Sequence, residues 1–318
     1  MGSRQPENTR SFALVAHGGA GKTTLAEAML FTNGQISRMG KTESGNTVSD
    51  FSSEEQKRQI SISTSLLTLE RAGKTLFMLD APGFADFTAE MSAAIRVADT
   101  ALLVLSAVGG VEVQTGRAWE YATENDAPVA FYISKMDREN ANFDKVLADI
   151  KEQFSGNAFP VFLPIGGEAS FRGVVDVLKG RAYTGAPDGS GKFTEGDIPA
   201  DLADAAAAAR EALVEAAVEM DDALMERYLD GEAVGDERRR APASGLHRRL
   251  LPLPPGPRPG EGRARVREGR NRSGGGGARP GRALLGALLQ GDGRSLRRQA
   301  LVHPRLLGDA LLRRQQHL

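Results

Sequence analysis

Apolar and polar positions alternate in blocks along the first two-thirds of the chain. Residues 11–15 (Ser-Phe-Ala-Leu-Val) form a short apolar run of strand character. Residues 25–30 (Leu-Ala-Glu-Ala-Met-Leu) then combine helix formers with apolar residues at helical spacing. Residues 34–59 are polar, rich in Gly, Ser and Lys, and have no clear period. Ile60 and Ile62 alternate with Ser61 and Ser63, and an apolar run continues to Leu69, which predicts a strand over 60–69. A turn at Ala72-Gly73-Lys74 leads to a second strand over 75–79, so the two are expected to form a hairpin. Helical spacing follows over 87–97, a buried strand over 100–106, a helix over 115–125, a buried strand over 128–133 and a helix over 143–154. Strands alternating with helices predict a mostly parallel sheet covered by helices on both faces.

The pattern changes at residue 157. Short apolar pieces at 160–165 and 173–178, separated by glycine turns, predict a small β-rich insertion. Residues 201–229 read as a long Ala-rich helix, with Leu213, Ala217, Met220, Leu224 and Tyr228 at helical intervals. The expected organisation is a flexible stretch at 1–9, a nucleotide-binding core at 10–156, an insertion with its long helix at 157–236, and a tail at 237–318.

Charge separates the tail from the rest. The net charge of the 318-residue chain is −1. The tail holds 19 Arg, no Lys and 5 acids, a balance of +14, which leaves 21 bases and 36 acids, a balance of −15, for residues 1–236. Five prolines fall within residues 250–260, and a glycine run occupies 274–277. Such a composition buries too little aromatic and β-branched surface to offset chain entropy. The tail therefore reads as an out-of-frame translation or, alternatively, as a disordered basic segment able to contact RNA phosphates. The chain has no cysteine, which removes disulfides and thiolate metal sites, and its four histidines are scattered. No apolar h-region opens the chain and no run of 18 apolar residues occurs, so a cytoplasmic, non-membrane protein is expected.

Candidate chemistry centres on residues 16–24, Ala-His-Gly-Gly-Ala-Gly-Lys-Thr-Thr, between the first strand and the first helix. This arrangement is a phosphate-binding P-loop. Gly18, Gly19 and Gly21 let backbone N–H groups turn inward, with His17, Ala20 and Thr24 completing the cradle. The helix N-terminus adds a positive dipole end. Lys22 is expected on the β- and γ-phosphates, and the Thr23 hydroxyl on Mg²⁺. Ala16 stands where the strict pattern has Gly. Asp80-Ala-Pro-Gly83 follows the strand over 75–79 and has the form D-x-x-G. Asp80 is expected to hold Mg²⁺ through water and Gly83 to sense the γ-phosphate. Ser134-Lys135-Met136-Asp137 follows another strand. A carboxylate at Asp137 can accept from guanine N1–H and its exocyclic amine, a donor pair that adenine lacks. The stem of Lys135 can cover the base. Ser134, where Asn is usual, has no amide fork, so its contact with the purine is expected to be weak.

A P-loop, D-x-x-G and K-x-D in this order make a GTPase. With Arg58-Gln-Ile-Ser-Ile62, Asp86-Phe87, Lys135-Met-Asp-Arg138, Leu163-Pro-Ile165, Gly173-Val-Val-Asp-Val177 and residues 222–232, the chain resembles the G domain of bacterial elongation factor G over residues 10–236. Its divergent elongation-factor-G-like paralogues are the closer likeness. The resemblance implies GTP or GDP with Mg²⁺ as ligands and, for a full-length protein, the ribosome as partner. It also implies that 34–59 is switch I, that the stretch after Gly83 is switch II, and that Ser61 takes the place of the switch I threonine on Mg²⁺. Two departures matter. Phe84 stands where translocating members have a water-positioning His, so hydrolysis is expected to be slow. The Ser-Ala guanine motif and later domains are not visible after residue 236, so the chain reads as a truncated G domain. The rival readings are a catalytically inert nucleotide-binding relic and an ATP-using P-loop kinase.

Overall fold

The computed structural model describes residues 8–71, 73–186 and 193–218, together with residues 289–290. Strand β1 (Thr9–Val15) is the middle of a six-stranded sheet. It is flanked in parallel by β3 (Lys74–Asp80) and β4 (Thr100–Ser106), and β4 pairs in parallel with β5 (Val129–Ser134). On the far side, β2 (Ser65–Arg71) pairs antiparallel with β3, forming the expected hairpin. Strand β10 (Leu289–Gln290) pairs in parallel with β5 at Ile133 and Ser134. Parallel strands covered on both faces read as continuous apolar runs, and β4 and β5 are buried along nearly their whole length.

Helices α1 (Lys22–Thr32), α3 (Thr88–Val97), α4 (Val113–Glu124) and α5 (Phe143–Gln153) connect the strands. α1 buries all of residues 25–30, Glu27 and Ala28 included, so it is covered on nearly every side and not along one stripe. Trp119 of α4 stacks on Phe131 of β5 and on Phe154 at the end of α5, with ring centroids 5.9 and 5.3 Å apart. Offset-stacked aromatic rings add about 1 kcal/mol each beyond burial, which ties these two helices to the sheet.

The insertion is a separate antiparallel sheet, in the order β6 (Phe162–Ile165), β7 (Gly173–Asp176), β8 (Arg181–Gly185), β9 (Phe193–Gly196). Helix α6 (Ala203–Val218) follows. Ala206 of α6 packs into a small cluster with Ile165, Val175 and Ala182. The expected continuation of this helix to residue 229 and the tail from 237 lie outside the described residues, apart from the 289–290 strand.

Two local expectations are corrected. Residues 60–64 are not strand; pairing starts at Ser65. The Ile62 and Ser63 N–H groups are taken by the Glu55 carboxylate, so they cannot join a ladder. The aperiodic 34–59 segment contains a short helix, α2 (Ser53–Arg58), closed by a capping box in which Ser52 and Glu55 bond reciprocally.

Candidate functional site

The carboxyl ends of the parallel strands carry the site. Leu14 lies opposite Asp80 in the β1–β3 register, so the P-loop starts beside the D-x-x-G turn. Gly19 and Gly21 have φ of 78° and 97°, backbone that a side chain would strain. A Cβ at either position would meet nothing within 4 Å, so the backbone conformation and not crowding calls for glycine there. The first turn of α1 has no acid to neutralise its positive end.

Lys22 is buried, and its Nζ donates to the His17 carbonyl at 3.1 Å. Burial lowers the pKa of its amine, while Asp80 and Asp50 pull it back up. Asp80 is fully buried and accepts at Oδ2 from Thr23 Oγ1 (2.9 Å) and Ser49 Oγ (2.6 Å). Burial pushes its carboxyl up to about 6, against the pull of Ser49, Lys22 and Thr23. Its Oδ1 is buried with no hydrogen-bond partner. Ser61 Oγ lies 3.3 Å from Thr23 Oγ1 and donates to Asp50 Oδ1 at 2.6 Å. Asp50 is itself buried, which raises its pKa. Thr23, Ser61 and Asp80, the three expected metal residues, thus meet in one place, joined by Ser49 and Asp50.

Gly83 closes against this cluster. A Cβ there would stand 2.4 Å from Lys22 Nζ and 2.6 Å from the His17 carbonyl oxygen, so only glycine fits. Phe84 lies across Gly18, with ring atoms 3.0–3.1 Å from where a Gly18 Cβ would be. The buried His17 imidazole feels the charges of Lys22 and Lys135. Burial first, then those two charges, push its imidazole down to about 4. The ring is therefore neutral near pH 7, and its Nε2–H donates to Glu112 Oε1 at 2.8 Å.

The other end of the site is built on β5. Ser134 Oγ bonds to the Ala20 and Leu105 carbonyls at 2.7 and 3.0 Å. Its hydroxyl donor is thus turned to the protein, bracing the P-loop. Lys135 has φ 60°, and burial lowers its pKa. Asp137 is half-buried, its pKa raised by burial, and its Oδ1 has no partner. Thr24 sits beside Thr23 in the first turn of α1.

Ser49 and Asp50 carry no signal in the sequence, because they sit in the aperiodic segment and reach Asp80 and Ser61 only through the fold. Glu112 carries none either, although it lies just before a helix start. The acid-and-hydroxyl spacing of Ser52-x-x-Glu55 was a readable signal for the cap.

A mostly parallel sheet with a P-loop after its central strand and an aspartate at the end of the next defines a P-loop nucleotide-binding domain. The family profile of the elongation factor Tu GTP-binding domain matches residues 7–249, and the chain belongs to that family of GTPase domains. A solved crystal structure of a protein from Thermus thermophilus superposes with a TM-score of 0.77 at 29% identity, covering 97% of this chain and 40% of that one. This chain therefore spans less than half the length of that relative. Among the described residues, no helix is long and apolar enough to cross a membrane.

Proposed function

We propose that this domain binds GTP and GDP with Mg²⁺ and hydrolyses GTP slowly, as part of an elongation-factor-G-like protein that acts on the ribosome in the cytoplasm. The observation that carries the metal assignment is the buried Asp80 carboxylate, with an unpartnered Oδ1 beside the Thr23 and Ser61 hydroxyls. Hard oxygen donors, few in number and shared with phosphate, suit Mg²⁺. The neighbouring Asp50 carboxylate adds to the rise in the Asp80 pKa, and a cation between the two would relieve that repulsion.

In this reading the P-loop N–H groups and the α1 N-terminus receive the phosphates. Lys22 leaves the His17 carbonyl for the β- and γ-oxygens. Thr23, Ser61 and Asp80 hold Mg²⁺, which would spread the charge of the transferring phosphoryl group. Gly83 lies against Lys22 and so senses the γ-phosphate end. Asp137 accepts from guanine, and Lys135 covers the base. Phe84 offers no hydrogen bond to an attacking water and packs on Gly18 instead. The ribosome as partner, and RNA contact by the Arg-rich tail, rest on the family resemblance and on composition. So does the division into 10–156, 157–236 and 237–318.

Titration with fluorescent GDP tests the assignment. Micromolar or tighter binding that GTP displaces and ATP does not is expected. Displacement by ATP would favour a kinase, and no binding would favour an inert relic. Single-turnover GTP cleavage on ribosomes tests the role of Phe84. Phe84→His is expected to raise the rate about a hundredfold, the lower range for a placed acid–base group; an unchanged rate would remove Phe84 as the cause of slowness.

A further inference from the structure

Glu27 lies on α1 four residues after Thr23, one helical turn along the same face. It is 1% exposed, and it accepts from two backbone N–H groups: Gly40 donates to Oε2 at 2.7 Å and Val48 to Oε1 at 2.5 Å. These donors stand 13 and 21 residues away in the sequence. One buried carboxylate therefore gathers both ends of the 40–48 loop onto α1. Between them the chain folds tightly, since a Cβ at Gly40 would lie 2.4 Å from the Asn46 carbonyl oxygen. The residue after Val48 is Ser49, whose hydroxyl reaches Asp80, and the next is Asp50, which receives Ser61. Glu55 does the same on the other flank, taking the N–H groups of Ile62 and Ser63 just beyond Ser61.

We propose that Glu27 is a positioning residue: by fixing Gly40 and Val48 it delivers Ser49 to Asp80 and Asp50 to Ser61, and so sets the geometry of the cation end of the site. Bonds from N–H to carboxylate are about twice as strong as neutral ones, and truncating Glu27 would strand a buried N–H at Gly40. The lost bonds all belong to the loop that meets Asp80. The P-loop N–H groups and Asp137 do not depend on them. Glu27 should therefore matter for the Mg²⁺-dependent part of nucleotide binding and not for the part that survives in EDTA. The Mg²⁺ half of this inference rests on the proposed GTP and Mg²⁺ site; the loop clamp does not.

The experiment uses the full chain with Glu27→Ala and, because that variant changes α1, also Val48→Pro, which removes a donor N–H and leaves the helix untouched. Tryptic cleavage after Lys41 is followed without nucleotide or metal, and fluorescent GTP-analogue binding is followed across Mg²⁺ concentrations and in EDTA. Both variants are expected to be cleaved about tenfold faster, because local opening exposes the loop, with the melting temperature lowered by only about 5 °C, as the same loss from the native state requires. Both should need about tenfold more Mg²⁺ for half-maximal tightening, a loss equal to one good hydrogen bond, with EDTA affinity within about twofold of wild type. Unchanged cleavage in a folded variant overturns the clamp. Faster cleavage with an unchanged Mg²⁺ requirement overturns the positioning role. If the wild type binds no guanine nucleotide, the proposed function fails, and the cleavage arm alone still decides the clamp.

Discussion

The phosphate end and the base end of the proposed site are built differently. At the phosphate end, charged and hydroxyl groups mostly bond one another: Lys22 bonds the His17 carbonyl, Thr23 and Ser49 bond Asp80 at Oδ2, and Ser61 bonds Asp50, while Asp80 Oδ1 is left without a partner. Apart from a cation at that oxygen, a ligand there must exchange internal bonds for its own. At the base end, the Ser134 hydroxyl is committed to Ala20 and Leu105, and the Asp137 Oδ1 is held without a partner. A base there fills a single waiting acceptor. The first arrangement suits strong charge-dependent binding of any nucleoside triphosphate, and the second suits discrimination between bases. Affinity and specificity should therefore fail separately when the two ends are mutated.

The largest effect should come from Lys22→Ala. It removes the buried cation that would meet the β- and γ-phosphates, and truncating one partner of a buried, hydrogen-bonded charge pair between two bound molecules costs about 4 kcal/mol of binding. GTP and GDP affinity should both fall by about a thousandfold, a change of that size in free energy, as read by fluorescent-nucleotide titration. A loss confined to GTP would mean that Lys22 meets the γ-phosphate alone. Asp137→Asn should act at the other end. It keeps one acceptor and turns an amide donor toward the guanine amine, so guanine nucleotides should bind about thirtyfold more weakly, within the range for hydrogen bonds to charged groups. Competition assays should show weak ATP binding unchanged. Equal losses for GTP and ATP would erase the contrast between the two ends.

The two ends also differed in how far the sequence disclosed them. The P-loop could be read because strand, glycines, Gly21-Lys22-Thr23 and helix are contiguous, Asp80 because it ends an apolar strand, and Asp137 because it follows one by three residues. Strand ends are marked by hydrophobic pattern, and the sheet then brings them together. Ser49, Asp50 and Glu27 had no such marker. They are polar residues whose partners are chosen by the path of a loop, across 31 residues for Ser49 and Asp80, and periodicity reports only which positions face the core. The absence of strand at 60–64, where alternation predicts one, has the same origin. Alternation there was genuine, but Glu55 offered those N–H groups a stronger acceptor than a neighbouring strand. Phe84 was legible as a substitution, while its packing on Gly18 was not.

The smallest effect, and the one that sharpens the contrast most cheaply, is pH dependence. Asp80 has its carboxyl raised from 3.8 to about 6 by burial. The folded state thus holds this proton more tightly than the unfolded chain between those values. The contribution of Asp80 to the stability of the ligand-free protein therefore falls as pH rises from about 4 through 6, by an amount on the order of 3 kcal/mol. His17 acts in the opposite direction. Its pKa is lowered from 6.5 to about 4, so its contribution is lost as pH falls through that window. The two nearly cancel in a melting curve, which makes stability a poor readout. Metal binding separates them, because only Asp80 exchanges its proton for the cation. Mg²⁺-dependent tightening of GTP should weaken about tenfold per pH unit below about 6, as one proton competes with the ion. The ratio of affinities in Mg²⁺ and in EDTA cancels any titration at the base end, where Asp137 is also raised. A ratio that stays flat from pH 7 to 5 would place the cation away from Asp80. The phosphate end would then owe its buried carboxylate to Lys22 alone.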